Sequence, residues 1–292
     1  MQRDEVETSG QAIVRTQTAV HTPKKQRTAY LSSWLSCALK HDAQMPPIRD
    51  EGGRPPLPVD YDSDPTRFLA NQVATASFSS AGDVHAPVAE RLRARTAGPV
   101  LDLGGGNGTL ARLLIRSGVS TVVLDQAAHI HQAPLPAVRA DAQRLPFKDG
   151  GFGAVSALWM LYHLPDPHAA LIEADRVLRA GGTFVACSSS RFNDPEVAGV
   201  LPDWGDPFSF DAESAPAIVS EVFDIFEIER WDAPMVTLPD SRAVELFLRG
   251  RGLTEHEASV SAHSFPTPLD VTKRGVLIWA VRRTGYPVAA RP

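Results

Sequence analysis

The chain has little cysteine, little lysine and no long apolar run. Only Cys37 and Cys187 occur among 292 residues, too few for a disulfide framework or a metal-ligand cluster, so no metal is expected. No apolar run reaches the roughly 18 residues that a membrane span needs. The net charge of −5 disfavours broad binding to nucleic-acid phosphates. These absences predict a protein of a reducing, cytoplasmic compartment, without nucleic-acid or membrane partners.

The few lysines are unevenly distributed. Three of the five lie in the first 44 residues, while the chain carries 24 arginines. A stretch rich in proline and glycine follows, which is typical of a linker. We therefore predict a mostly disordered tail over residues 1–57 and one domain over 58–292, with Met45 as an alternative translation start. A short lid helix over residues 28–40 is the rival interpretation.

Strand and helix patterns alternate after the linker. Apolar, β-branched runs at 99–103, 119–125 and 183–189 predict buried strands, and apolar residues at helical spacing predict helices over 108–118 and 166–182. Strands that alternate with helices indicate an α/β fold with a doubly wound, mainly parallel sheet.

The first predicted strand ends in a loop with four glycines, Gly104, Gly105, Gly106 and Gly108. Glycine at a strand–helix turn lets a ligand lie against bare backbone, and the next helix offers its positive end to an anion. The G-x-G-x-G spacing, with Thr109 in place of the third glycine of a dinucleotide fold, fits a nicotinamide cofactor poorly.

Four segments, taken together, resemble class I S-adenosylmethionine-dependent methyltransferases of small molecules. They are "VLDLGGGNG" (100–108), "VVLDQ" (122–126), "ADAQRLPFKDGGFGAVSA" (140–157) and "LYHLPDPHAALIEADRVLRAGGTFV" (161–185). The resemblance covers roughly residues 84–190, the expected cofactor-binding core. It implies a Rossmann-like, seven-stranded sheet, S-adenosyl-L-methionine as cofactor, and methyl transfer to a small-molecule acceptor.

The resemblance also implies roles for single residues. Asp125 is expected to accept hydrogen bonds from both ribose hydroxyls, unless it is a surface turn acid, and Gln126 to contact the ribose or the adenine. Asp141 and the N–H of Ala142 are expected at the adenine, and Leu158 near the methionyl group.

The glycines Gly104, Gly106 and Gly108 are expected to shape the cofactor loop. Asp102 either orients the loop amides or the cofactor's ammonium, or only caps backbone groups. Gly105 departs from the family pattern, because many members carry cysteine or another small side chain there, and we expect it to make the loop more flexible.

His163 is the nearest candidate base, because it follows the fourth predicted strand, over 151–158, where the acceptor should lie. A structural role for this residue is the alternative. His85 and His263 lie outside the motifs and are interpreted as surface or packing residues.

An insertion over residues 190–222 precedes the sixth predicted strand, over 223–233, and the last predicted strand covers 274–283. Its Trp204, Phe208 and Phe210 either line an acceptor pocket or anchor a long loop.

Three other functions stay open from the sequence alone. The chain could bind the cofactor without transferring a group, catalyse a cyclisation or isomerisation on the same fold, or act as a nicotinamide oxidoreductase. The glycine spacing argues against the last. The sequence leaves the acceptor, its methylated atom and the oligomeric state open.

Overall fold

The structure, a computed structural model, describes residues 64–80 and 83–284. The predicted tail over 1–57, the alternative start at Met45 and the rival helix over 28–40 lie outside the described residues.

Helices and strands alternate along the described chain. The α-helices are α1 (Pro65–Phe78), α2 (His85–Arg95), α3 (Thr109–Arg116), α4 (Pro167–Val177), α5 (Ala215–Val222), α6 (Ser241–Gly250) and α7 (Glu255–Ala262). The strands are β1 (Val100–Leu103), β2 (Thr121–Asp125), β3 (Ala137–Arg139), β4 (Phe152–Leu158), β5 (Leu178–Ser189), β6 (Phe223–Leu238) and β7 (Leu269–Arg282). Short 3₁₀ helices lie at Ala128–Gln132, Leu161–His163 and Pro195–Val200.

The seven strands form one sheet in the order β3-β2-β1-β4-β5-β7-β6. Only β7 runs against its neighbours β5 and β6. The order reverses beside β1, since β2 follows on one side and β4 on the other. The prediction of a doubly wound, mainly parallel sheet is therefore confirmed, and ligands of such sheets bind at this reversal.

The central strands are apolar because helices cover both faces of the sheet. Every residue of β1 and of β4 is buried. Val88 of α2 and Leu114 of α3 pack in one cluster with Leu158 and Trp279. Continuous burial of this kind is what the apolar runs of the sequence indicate.

The last two strands are longer than the sequence patterns predict. Their antiparallel pairing continues through Val236↔Val271 to Leu238↔Leu269, beyond the point where Ser189 of β5 pairs with Gly275. The extension is stable because its inner side chains are buried against α6 and α7. It forms a two-stranded ribbon beside the carboxyl edge of the sheet.

Helix α1 is fixed to α6. Asp64 caps its first turn by accepting from Arg67 N at 3.2 Å, and Arg249 Nη2 lies 2.6 Å from Asp64 Oδ2. The two helices are in close contact, because a Cβ on Gly250 would lie 2.9 Å from Asn71 Cα. Among the described residues, no helix combines the length and hydropathy needed to cross a membrane.

Candidate functional site

A cavity of about 960 Å³ opens at the carboxyl ends of β1 and β4. The glycine loop forms its floor, α1 covers it, and α2 and the β6–β7 ribbon form its sides. Its volume lies near the upper end of the range for small-molecule sites. The cavity can therefore hold a nucleoside-sized cofactor and a second small molecule.

The glycine loop has a backbone that other residues adopt with difficulty. Gly104, Gly106 and Gly108 have positive φ angles of 64°, 56° and 85°. A Cβ on Gly104 would also lie 2.5 Å from Met160 Cβ. Gly104, Gly105 and Gly106 line the cavity, whereas Gly108 is at the start of α3, against Pro134.

Gly105 has a steric role that the sequence analysis did not identify. A Cβ at this position would lie 2.7 Å from Asp102 Oδ2 and 2.8 Å from Val123 Cγ1. The position therefore leaves no room for a side chain while Asp102 keeps its place.

Asp102 lies beneath the loop rather than on the cavity wall, and only 2% of it is exposed. Its Oδ1 accepts from Ser156 Oγ at 3.1 Å, while Oδ2 has no hydrogen-bond partner among the described residues. Burial raises the pKa of Asp102 to about 6, although the charge of His85 and the Ser156 hydroxyl act in the opposite direction.

Asp125 ends β2 and holds the loop. Its Oδ2 accepts from Gly106 N and its Oδ1 from Ala127 N, both at 2.8 Å. A carboxylate has about four acceptor positions, so each oxygen keeps one for a further donor. The side chain is half-buried and, although it holds a loop that lines the cavity, it is not itself on the cavity wall.

Of the other predicted cofactor residues, one lies on the cavity wall and three do not. Leu158 lines the cavity. Gln126 is exposed, Asp141 Oδ1 accepts from Gln143 N at 2.8 Å, and Ala142 is buried. These three residues lie next to the ends of β2 and β3 but are not on the cavity wall.

His163 is not on the cavity wall either. It ends a 3₁₀ helix and packs on Tyr162, with ring centroids 4.4 Å apart, and it is Tyr162 that lines the cavity. The structure thus separates the predicted base from the space where an acceptor would bind.

A second histidine does line the cavity. His85, interpreted above as a surface or packing residue, begins α2, and its Nδ1 lies 2.6 Å from Asp83 Oδ2. Although burial acts in the opposite direction, this contact holds the pKa of Asp83 below its usual value. His85 Nε2 makes no hydrogen bond to any described residue. The only sequence signal was an Asp-x-His before a helix, which is too common to point to a site.

Three tryptophans contribute to the other side of the cavity: Trp159, Trp231 and Trp279. Trp159 and Trp231 meet edge to face at 6.1 Å, and Trp159 has a strained φ of 59°. Trp231 lies directly over Gly275, where a Cβ would come within 2.3 Å of its ring. Trp279 is only 1% exposed and Arg91 lies over its ring, so Trp159 and Trp231 supply the aromatic surface, which suits a flat, apolar ligand.

The aromatic residues of the 190–222 insertion lie elsewhere. Phe210 is fully buried, and Trp204 Nε1 donates to Asn193 O at 2.8 Å. Neither they nor Phe208 line the cavity. The wall comes instead from α1, α2 and the ribbon, and the insertion contributes Asn193.

Comparisons with known proteins agree on one enzyme class. Residues 101–186 match the family model described as a methyltransferase domain. The chain is 31% identical over 176 residues to the ubiquinone/menaquinone biosynthesis C-methyltransferase UbiE of Hahella chejuensis, covering 54% of this chain and 68% of that protein. It is 28% identical over 207 residues to a demethylmenaquinone methyltransferase of Clavibacter sepedonicus, covering 66% of this chain and 77% of that protein.

Other relatives match over a shorter segment. A demethylmenaquinone methyltransferase of Mycolicibacterium gilvum is 38% identical over 105 residues, which is 35% of this chain and 46% of that protein. The chain thus spans about half the length of several curated relatives that it matches.

Solved structures share the fold. The YcgJ protein of Bacillus subtilis has a TM-score of 0.53 and 16% identity, covering 69% of this chain and 98% of that chain. The [4+2]-cyclase SpnF also has a TM-score of 0.53, with 19% identity, covering 77% of this chain and 95% of that chain. At such low identity, these two likenesses speak for the fold alone.

Proposed function

Since the chain belongs to the class I S-adenosylmethionine-dependent methyltransferases, we propose that it methylates a small, ring-containing acceptor inside the cavity. The observation that carries this proposal is the shared cavity. The glycine loop and the tryptophan surface line one continuous space of about 960 Å³. A cofactor on the loop and an acceptor on the tryptophans would therefore be neighbours.

The residues present fit S-adenosylmethionine. The bare backbone of Gly104 to Gly106 offers a surface without side chains, and Asp125 keeps acceptor positions for two ribose hydroxyls. Leu158 supplies an apolar contact for the methionyl part. We assign Gln126, Asp141 and Ala142 to the adenine end, because they follow the ends of the adjacent strands β2 and β3.

When bound, S-adenosylmethionine supplies a methyl group already activated by a sulfonium leaving group. The task left to this chain is to hold the acceptor in line and to exclude water. Proximity of this kind accounts for a large part of the rate enhancement in many enzymes. Phe68 of α1, stacked on His129 at 4.5 Å beside the glycine loop, contributes to the exclusion of water.

An acceptor that carries a proton also needs a base, and we assign this role to His85. Asp83 Oδ2 lies 2.6 Å from Nδ1 of its ring, so we assign Nε2 to receive the proton, as in other carboxylate–histidine pairs. His85 lines the cavity, whereas His163 does not. We assign His163 the structural role that the sequence analysis left open.

Most of the curated relatives carry names that refer to quinones, such as demethylmenaquinone methyltransferase. Most of the shorter matches span little more than 100 residues. They are therefore weak support for a shared acceptor. The tryptophan surface is the independent argument for a ring. We also propose a reducing, cytoplasmic setting, in keeping with the buried, unpaired Cys187.

Two measurements test the proposal. Titration calorimetry should detect S-adenosylhomocysteine binding and no comparable binding of NAD or NADP. The protein with S-adenosylmethionine should then release S-adenosylhomocysteine when offered phenols, naphthols or hydroquinones. Tight NAD binding without a response to S-adenosylhomocysteine would refute the cofactor assignment. Turnover with acceptors that lack a ring, and with none that has one, would refute the acceptor assignment.

A further inference from the structure

Three charged side chains meet in the part of the cavity between α6 and the ribbon. Asp194 is 1% exposed. Its Oδ2 lies 2.6 Å from Arg251 Nε, and its Oδ1 lies 2.5 Å from Lys273 Nζ. Arg251 and Lys273 line the cavity. One buried carboxylate therefore faces two cations.

The two cations keep unused hydrogen-bond donors. Lys273 has three N–H donors and gives one to Asp194. Arg251 uses Nε for Asp194 and Nη1 for Asn71 Oδ1, and no described residue accepts from its Nη2. One face of the guanidinium is covered by Phe247, whose ring centroid is 4.4 Å away. The free donors are thus left at the edge of the group.

The cluster of Asp194, Arg251 and Lys273 has two basic side chains and one acidic side chain. Burial lowers the pKa of Lys273 to about 8, and the charge of Arg251 acts in the same direction, against Asp194 and Glu196. Glu196 is exposed, and its carboxylate accepts from Thr272 N and Oγ1. Glu196, the other carboxylate that acts on Lys273, is therefore engaged with the backbone and side chain of Thr272. A partly buried cation pair with one carboxylate is stabilised by an added anion.

We propose that Arg251 and Lys273 bind a carboxylate carried by the acceptor, which would make the acceptor an aromatic acid. This inference rests on the proposed function, because it places the acceptor in the same cavity. The unused donors match the acceptor oxygens of such a group. A single surplus positive charge suits a carboxylate better than a doubly charged phosphate.

The test compares an acid with a neutral amide of matched shape and includes a phosphate as a third probe. Full-length protein saturated with S-adenosylhomocysteine is titrated with 2-naphthoate, 2-naphthamide and 2-naphthyl phosphate in a calorimeter. We expect naphthoate to bind at least about tenfold more tightly than the neutral amide, since hydrogen bonds to charged groups are the stronger ones. Equal binding of acid and amide, binding of neither, or tighter binding of the phosphate would overturn the inference.

Variants connect the preference to the cluster. Lys273→Met should abolish the preference for the acid, and Lys273→Arg should retain it. Lys148→Met, at an exposed lysine away from the cavity, should change nothing. The melting temperature of each variant separates loss of the site from loss of the fold. If Lys273→Met fails to fold, the comparison of acid with amide in the parent protein still decides.

The outcomes also separate this inference from the proposed function. Absence of S-adenosylhomocysteine binding would contradict the proposed function itself. Normal S-adenosylhomocysteine binding without a preference for the carboxylate would contradict only the acceptor chemistry.

Discussion

Gly106 N donates a 2.8 Å hydrogen bond to Asp125 Oδ2, which ties the glycine loop of β1 to the end of β2. The same carboxylate positions the loop and, in our proposal, accepts hydrogen bonds from the cofactor's ribose. Its removal should affect cofactor binding in two ways at once.

Asp125→Ala should weaken S-adenosylhomocysteine binding by at least about tenfold. Charge-assisted hydrogen bonds contribute roughly 1.5–3 kcal/mol each, and 1.4 kcal/mol corresponds to one factor of ten. Calorimetry measures the change. Asp224→Ala is the matched control, because Asp224 is 61% exposed and pairs with Arg283 away from the cavity. Unchanged affinity in Asp125→Ala would mean that the ribose assignment is wrong.

His85→Gln should lower the methyl-transfer rate by roughly 10²–10⁴ with an acceptor that must lose a proton. The affinity for S-adenosylhomocysteine should stay within about twofold. His163→Gln serves as the control and should leave the rate nearly intact, because that ring lies off the cavity wall. Rapid-quench kinetics at saturating cofactor measures the rate. A large loss in the control, with none in His85→Gln, would reverse the two assignments.

Asp102→Asn should stabilise the unliganded protein at pH 7. The folded-state pKa is about 6, above the value of about 3.9 in an unfolded chain. The folded chain binds more protons between these values, so this group lowers the free energy of unfolding as pH rises from about 4 to 6. The full shift corresponds to about 3 kcal/mol, and asparagine carries no such charge.

Urea unfolding of parent and Asp102→Asn across this pH range gives the comparison. The advantage of the variant should be full above pH 6 and should shrink toward zero below about pH 4. A difference between the two proteins that does not vary with pH would contradict the assignment of the buried charge.

Gly105→Ala should destabilise the fold by about 1–3 kcal/mol, as is usual for overpacking. The new methyl group would lie 2.7 Å from the Asp102 carboxyl group. Gly199→Ala is the matched control, because no atom lies within 4 Å of a Cβ at that position. Thermal unfolding measures both variants, and equal melting temperatures would show that the loop shifts at no cost.

The fold could be predicted because its signals are local. Each of the central strands is a continuous apolar run, and the glycines after β1 mark the turn that a ligand requires. Asp125 could be placed at the end of a strand next to that turn, as the structure has it, and its role toward the ribose stays a prediction. These features depend only on neighbours along the chain.

The acceptor side could not be predicted, because it is assembled from distant segments. Asp83 precedes α2, Trp231 lies on β6 and Lys273 lies on β7. None of these residues belongs to a local sequence motif. The ribbon itself is extended by pairing such as Leu238↔Leu269, whose partners are separated by two helices. The contact of Trp231 with Gly275 cannot be predicted from the spacing of residues along the sequence.

Helix α1 has one further consequence, which concerns access to the cavity. Gln72 reaches Asn107 of the glycine loop at 3.4 Å, while Asn71 on the same helix accepts from Arg251 beside the ribbon. A helix of 14 residues is about 21 Å long, so α1 borders both the glycine loop and the ribbon. If the proposed cofactor and acceptor enter past α1, we expect a covalent link between α1 and α6 to slow the binding of both.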